Sequence, residues 1–334
     1  MITDARVLQA EFIPKEVKHR EGEVTHLSSA LHPIMDGEPA DPAFLYGPSG
    51  VGKTCIAQFT VERLRENVVD LNYQYVNCWE DYSAFKTLYA LLDGINQTLD
   101  IHRQSTPKDV LLDRLRDYDG PPYVVILDEV DQLENKGLLY DLYRIPNITM
   151  ILIANSEEGL FASVDDRLNS RLTDATHIRF KQYTNDELIT ILKDRVRWGL
   201  ADNVLDEERL QTIAVHASGD ARVAIGILRK AARTAREDGL DEIPGDVIRK
   251  VVPEARSEIQ QKTINRLTPD QQTLYSIITE NGEIGPRDLY EKYETRVTDS
   301  KTRRTVRNYL SKLEHYNLIT SEGNTKDRMY RAAN

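Results

Sequence analysis

Eight consecutive residues carry the clearest chemistry in this 334-residue chain: Gly47, Pro48, Ser49, Gly50, Val51, Gly52, Lys53 and Thr54, a complete G-x-x-x-x-G-K-T. Glycines at these positions let backbone N–H groups turn inward around phosphate oxygens, and a following helix N-terminus adds the positive end of its dipole. In such a loop Lys53 reaches the β- and γ-phosphates and Thr54 ligates Mg²⁺. The flanks suit the motif. The apolar run from Ala43 to Tyr46 reads as a short buried strand, and Ile56, Phe59 and Leu64 fall at helical spacing after it.

Two further strands end in polar residues that could share this site. Residues 123–127 (YVVIL) are an unalternating apolar run, the pattern of a central parallel strand, and they lead into Asp128 and Glu129. Asp128 is placed to hold Mg²⁺, directly or through water, and Glu129 to orient and deprotonate an attacking water. A third run, residues 149–154 (TMILIA), ends at Asn155, which could hold that water near the γ-phosphate. Open α/β sheets bind ligands at the carboxyl ends of their strands. Thr54, Asp128 and Asn155 therefore fit one geometry drawn from three separate segments.

The elements that must position these groups follow from pattern and composition. The length suggests two or three domains. Apolar residues make up 40% of the chain and charged residues 29%, as in a soluble globular protein. No apolar stretch approaches the ~18 residues of a membrane span, and the N-terminus has no signal-peptide layout. Cys55 and Cys78 lack metal-ligand spacing and suggest a reducing compartment. Residues 185–253 are helical in pattern throughout, with Thr184 and Glu187 forming a capping box and Leu188, Ile191, Leu192 and Val196 an apolar stripe.

With those residues in hand, the chain resembles the AAA+ ATPases, and within them the archaeal replication initiators of the origin recognition complex and cell division control (Orc/Cdc) type. The resemblance spans essentially the whole chain. It begins at Phe12-Ile13-Pro14 and at Arg20-Glu21-Gly22-Glu23, which resemble a segment that packs around adenine. It implies ATP or ADP with Mg²⁺ as cofactors, and adds Ile13, Arg20, Cys55 and Tyr183 to the nucleotide-contacting set. Residues 164–172 resemble the segment carrying an arginine finger, a role for which Arg167 and Arg171 compete; surface arginines neutralising Asp165 and Asp166 are the alternative. Residues 218–225 (SGDARVAI) resemble a sensor motif in a helical lid, with Arg222 reaching the γ-phosphate. Residues 83–117 are long enough for the helical insertion of initiators, without a basic cluster to assign to DNA.

The C-terminal residues differ in charge from the rest. The net charge is −11, yet residues 257–334 hold 13 Lys and Arg against 11 Asp and Glu, while the rest holds 30 against 43. The pattern there predicts helices over 269–281, 286–293 and 301–316, then two strands joined by a tight turn, a winged helix-turn-helix. The third helix puts Val306, Leu310 and Leu313 inward and Arg303, Arg304, Arg307 and Asn308 outward. Such a helix enters the major groove, where arginine reads guanine and asparagine reads adenine. Lys301, Lys312, Lys326 and Arg328 suit phosphate contacts.

The expected architecture is thus α/β: a P-loop parallel sheet over residues 1–184, a helical lid over 185–256 and a winged-helix domain over 257–334. The expected activity is a slow ATPase that switches a replication initiator. Its expected partners are double-stranded origin DNA, the replicative helicase, and itself or paralogous initiators, with no membrane. Its expected place is the cytoplasm, at the nucleoid. Two alternatives stand beside this: a transcription or plasmid-maintenance regulator with a structural ATP site, and a motor such as a clamp loader or branch-migration ATPase. The low lysine content and excess acid fit either a salt-adapted surface or an ordinary acidic one.

Overall fold

The computed structural model describes residues 1–103, 105–161, 164–316, 318–323 and 328–333. The chain divides into two compact units, Met1–Val252 and Pro253–Asn334.

The first unit is built on a five-stranded parallel sheet. In chain order its elements are α1 (Glu21–Leu31), β1 (Ala43–Tyr46), α2 (Lys53–Asn67), β2 (Asn72–Asn77), α3 (Ala84–Asp93), α4 (Lys108–Arg116), β3 (Tyr123–Asp128), α5 (Gly137–Tyr143), β4 (Ile148–Ala154), α6 (Glu157–Phe161), α7 (Asp166–Thr173) and β5 (Thr176–Arg179). The strand order is β2-β3-β4-β1-β5. β3 and β4 are buried along their whole length, which is why their sequences do not alternate. Successive side chains still divide between the faces. Val125, Leu127 and Leu152 join a core with α3, α4 and α5, while Val124, Ile126, Ile151 and Ile153 join one with α1 and α2.

The order of strands positions the site. β4 lies between β3 and β1, pairing with both in parallel. The residues that follow β1, β3 and β4 therefore emerge side by side. The phosphate loop comes from β1, Asp128 and Glu129 from β3, and Asn155 from β4.

The helices α8 (Asn185–Gly199), α9 (Glu207–Ala217), α10 (Ala221–Glu237) and α11 (Gly245–Asn265) follow. Thr184 and Glu187 form the expected capping box, and Asp206 and Asp220 cap α9 and α10. The boundary between the two units falls inside α11, at its internal Pro253. Residues 1–12 have no period that predicts an element, yet they run along α8 as a strap. Ala201 N–H donates to Met1 O at 2.7 Å, and Thr3 N–H to Gly199 O at 3.0 Å. The Arg195 guanidinium donates to Val7 O at 2.8 Å and Phe12 O at 3.0 Å. Gly199 makes room for this strap: a Cβ there would stand 3.0 Å from Leu8 Cδ2.

The second unit is a winged helix. It contains α12 (Pro269–Asn281), β6 (Glu283–Ile284), α13 (Pro286–Arg296), α14 (Arg303–His315), β7 (Ile319–Glu322) and β8 (Met329–Ala332). Leu274, Ile277, Ile278, Leu289, Tyr293, Val306, Leu310 and Leu313 are buried within it. α14 starts two residues later than the pattern predicts, because Thr302 caps it by accepting from Thr305 N–H. The wing is also larger than expected. A third strand, β6, pairs antiparallel with β8 to give the order β6-β8-β7. At two residues, β6 is too short to show a period.

Candidate nucleotide site and candidate nucleic-acid interface

The loop after β1 folds with Gly47, Gly50 and Gly52 at positive φ. Gly50 answers to two constraints at once. Its φ of +76° favours glycine, and a Cβ there would stand 2.0 Å from Asp220 Oδ1. The N-terminus of α10 thus packs directly on the loop, and Ala221 N–H donates to Gly50 O at 3.0 Å. Gly52 makes similar room for Tyr183, whose hydroxyl would lie 2.7 Å from a Cβ.

Lys53 begins α2 and is buried. Its ammonium donates to Gly47 O and Pro48 O, both at 2.7 Å, and to Asn155 Oδ1 at 3.0 Å. Burial lowers its pKa to about 8, against the opposing pull of Asp128. Asp128 is also buried. Thr54 Oγ1 and Tyr75 Oη donate to its Oδ2 at 2.6 and 3.0 Å, and Glu129 N–H donates to its Oδ1 at 2.8 Å. Burial raises the carboxyl's pKa, and the bonds from Thr54 and Tyr75 oppose that shift. Glu129 adopts the left-handed region at φ 54°. For a residue with a Cβ this costs about 1–2 kcal/mol. It ends β3 abruptly and turns the chain into a short 3₁₀ turn, Val130–Gln132.

Arg222 reaches the loop from α10. Its guanidinium donates to Ser49 Oγ at 2.7 Å and pairs with Asp220 at 3.3 Å. Between loop and helices lies a cavity lined by residues 49–56, Asp128, Glu129, Asn155, Tyr183 and Arg222. Ala10, Pro14, Val17, Ile191 and Ile225 form an apolar wall on it. Cys55 lines it as well. Ile13 is not on this wall, although the adjacent Pro14 is. Arg20 stands behind Tyr183, with its guanidinium over the Tyr183 ring at 4.2 Å and donating to Lys181 O at 2.6 Å. The wall's apolar shape suits a planar base, and the loop suits its phosphates.

Three features of this site were not read from the sequence. Tyr75 comes from β2, and nothing local marks it as facing Asp128; only the pairing of β2 with β3 does so. Arg195 lines the cavity from α8, and no motif in the sequence marks it. Val17, unlike Pro14 of the Phe12-Ile13-Pro14 segment, had no local signal, and its place on the wall depends on how the N-terminal segment runs.

Arg167 and Arg171 lie exposed on α7, one turn apart and away from this cavity. Arg167 makes no hydrogen bond or ion pair among the described residues, with Asp165 and Asp166 included; Asp165 instead caps α7. Arg171 lies over the Tyr143 ring at 5.7 Å. In the second unit, Arg303, Arg304, Arg307 and Asn308 are exposed on α14 opposite its buried Val306, Leu310 and Leu313. The Arg303 guanidinium lies over the Tyr290 ring at 4.9 Å. Lys301 pairs with Asp299 at 2.8 Å, and Lys312 and Arg328 are half-buried. Lys326 lies outside the described residues.

Thr54 and Asp128 offer a hydroxyl and a carboxylate oxygen, the hard donors that Mg²⁺ takes beside phosphate and water. Both are already held within one hydrogen bond of each other, so the residues present fit the ion.

Residues 37–160 match the family described as AAA domain, and residues 189–252 match the Cdc6 AAA+ ATPase-type lid domain. ORC1-type DNA replication protein 1 of Halobacterium salinarum is 68% identical over 92% of this chain and 100% of that protein. The chain belongs to the ORC1-type DNA replication proteins, the Orc/Cdc6-type AAA+ replication initiators. A second ORC1-type protein of that organism, DNA replication protein 9, is 51% identical over 99% of this chain and 93% of its own length. Among solved structures, the Aeropyrum pernix ORC1 protein in complex with DNA aligns with a TM-score of 0.77 at 25% identity, covering 99% of this chain and 94% of that one. The AAA+ sheet with its helical lid and the winged helix are thus the architecture of an ORC1-type protein.

Proposed function

We propose that this ORC1-type chain is an ATP-regulated initiator that binds double-stranded origin DNA through α14 and its wing, and helps load the replicative helicase. Slow hydrolysis of ATP to ADP acts as the switch. The observation that carries this reading is the convergence of Lys53, Asp128, Glu129, Asn155 and Arg222 on one cavity, in a chain that also holds a winged helix with a basic exposed face. The proposed functional divisions are residues 1–184, 185–256 and 257–334.

In this mechanism the Lys53 ammonium leaves the Gly47 and Pro48 carbonyls for the β- and γ-phosphate oxygens. Thr54 and Asp128 hold Mg²⁺, which when bound neutralises charge on the phosphates. Glu129 accepts a proton from the attacking water, and Asn155 orients that water. Arg222 exchanges its bond to Ser49 for one to the γ-phosphate, so that ATP and ADP forms differ in how α10 meets the loop. Arg167 or Arg171 serves a site on a neighbouring copy or paralogue. Cys55 and Tyr183 border the nucleotide, and Arg20 supports Tyr183 from behind. On α14, Arg303, Arg304, Arg307 and Asn308 face base edges, and Lys301, Lys312, Lys326 and Arg328 face phosphates.

Single-turnover hydrolysis and DNA binding in Glu129→Gln test this reading. An initiator switch predicts lost turnover with retained ATP binding, and a changed DNA-bound population in cells. Unaltered DNA binding and replication in that variant would assign ATP a structural role and favour a regulator. Turnover of many cycles per second on DNA would favour a motor.

A further inference from the structure

Asp128 has three hydrogen-bond donors. Two belong to the nucleotide motifs themselves: the Thr54 hydroxyl on Oδ2 and the Glu129 N–H on Oδ1. The third is the Tyr75 hydroxyl, which donates to Oδ2 at 3.0 Å. Tyr75 comes from β2, whose register against β3 pairs Tyr75 with Ile126 and Asn77 with Asp128. Tyr75 and Asn77, two residues apart, share one face of the strand. Asn77 is itself oriented, since its Oδ1 accepts from Trp79 N–H at 2.9 Å.

A carboxylate oxygen accepts about two hydrogen bonds. The hydroxyls of Thr54 and Tyr75 together fill Oδ2, leaving the free acceptor capacity on Oδ1. Rotation of the carboxylate, which would exchange its two oxygens, has to break both hydroxyl bonds. With Thr54 alone on Oδ2, one of those restraints is gone.

We propose that Tyr75 is a positioning residue for the metal-holding carboxylate: its hydroxyl fixes the rotamer of Asp128 so that one oxygen is kept for the cation. Tyr75 touches neither nucleotide nor metal in this role and acts through Asp128. The inference rests on the reading that Mg²⁺ and ATP bind in this cavity.

The test is a titration of the full-length chain with a fluorescent ATP analogue, in EDTA and across a Mg²⁺ series, for wild type, Tyr75→Phe and Tyr123→Phe. Tyr123 is a matched control: its buried hydroxyl donates to Leu91 O at 2.6 Å, at the far end of β3 from Asp128. Tyr75→Phe is expected to bind as wild type in EDTA. The Mg²⁺ concentration that half-maximally tightens binding should rise about three- to tenfold, the size of one ordinary hydrogen bond. Tyr123→Phe is expected to lower Tm and leave that Mg²⁺ midpoint in place. An unchanged Mg²⁺ midpoint in Tyr75→Phe, or an equal loss of affinity with and without Mg²⁺, would overturn the inference and leave Tyr75 a packing residue. A wild-type protein whose affinity ignores Mg²⁺ would overturn the underlying reading as well, and the wild-type titration separates that failure from the first.

Discussion

At the scale of single residues, the site stores backbone strain where its chemistry is proposed. Glu129 holds φ 54° directly after Asp128, a position where glycine would cost less. That Glu stands there is explained by the proton it is proposed to take. Glu129→Gln keeps the shape and removes the base. Its hydrolysis rate should fall by about 10²–10⁴-fold, with ATP affinity within a few-fold of wild type, read by single-turnover assay beside equilibrium binding. The contact between Gly50 and Asp220 gives a second prediction. In Gly50→Ala the new methyl would occupy space held by the Asp220 carboxylate. The first turn of α10 must then lift off the loop, carrying Arg222 with it. ATP binding should weaken by tenfold or more. Asp220→Ala leaves the space open and removes the cap of α10, a loss of about 1 kcal/mol of stability, together with the exposed pair to Arg222, so its defect should appear in Tm more than in ATP affinity.

At the scale of elements, the second unit carries a pH-sensitive clasp. Glu280 on α12 accepts two bonds from Arg296 on α13, at 3.1 and 2.6 Å. The Arg296 hydrogen bonds, helped by Ser276, hold the Glu280 carboxyl down at about 2, below the ordinary 4.5. A depressed carboxyl contributes stability that is present above its ordinary pKa and is lost as pH falls toward the depressed one. The wild-type unit should therefore lose stability between about pH 4.5 and 2, and Glu280→Gln should flatten that slope in thermal melts. Because both groups are exposed, the effect should shrink as salt is added. On α14, Arg304→Ala and Arg307→Ala should weaken binding to a specific site by about 1–3 kcal/mol each if they read bases, and lower the salt slope instead if they meet phosphates. The buried strands and the capped helices were legible because period, run length and cap residues are local signals: residues 123–127 have the short unalternating run of a central strand, and Thr184 with Glu187 has the spacing of a capping box. The loop and the strand ends were legible for the same reason. What the sequence withheld depends on chain crossing and pairing. The strap of residues 1–12 over α8 has no period of its own, β6 is two residues long, and Tyr75 faces Asp128 only because β2 lies beside β3.

At the scale of the whole molecule, charge is divided between acidic and weakly basic regions, for a total of −11. Like charges on one surface repel, and the repulsion is screened by salt. A salt-adapted surface would be stabilised by that screening. Tm should accordingly climb as KCl rises from the millimolar to the molar range, and a flat response would favour an ordinary acidic surface. High salt also removes most of the counterion release that drives nonspecific DNA binding. In the proposed initiator, binding at high salt would rest on base contacts and DNA shape, and the burden would fall on the exposed face of α14. The most direct test of the account is genome-wide chromatin immunoprecipitation in the source organism, comparing wild type with an Arg304→Ala/Arg307→Ala variant. The account predicts one or a few sharp peaks at replication start sites, lost in the variant. Peaks spread over many promoters, or start-site peaks that survive the substitutions, would contradict it.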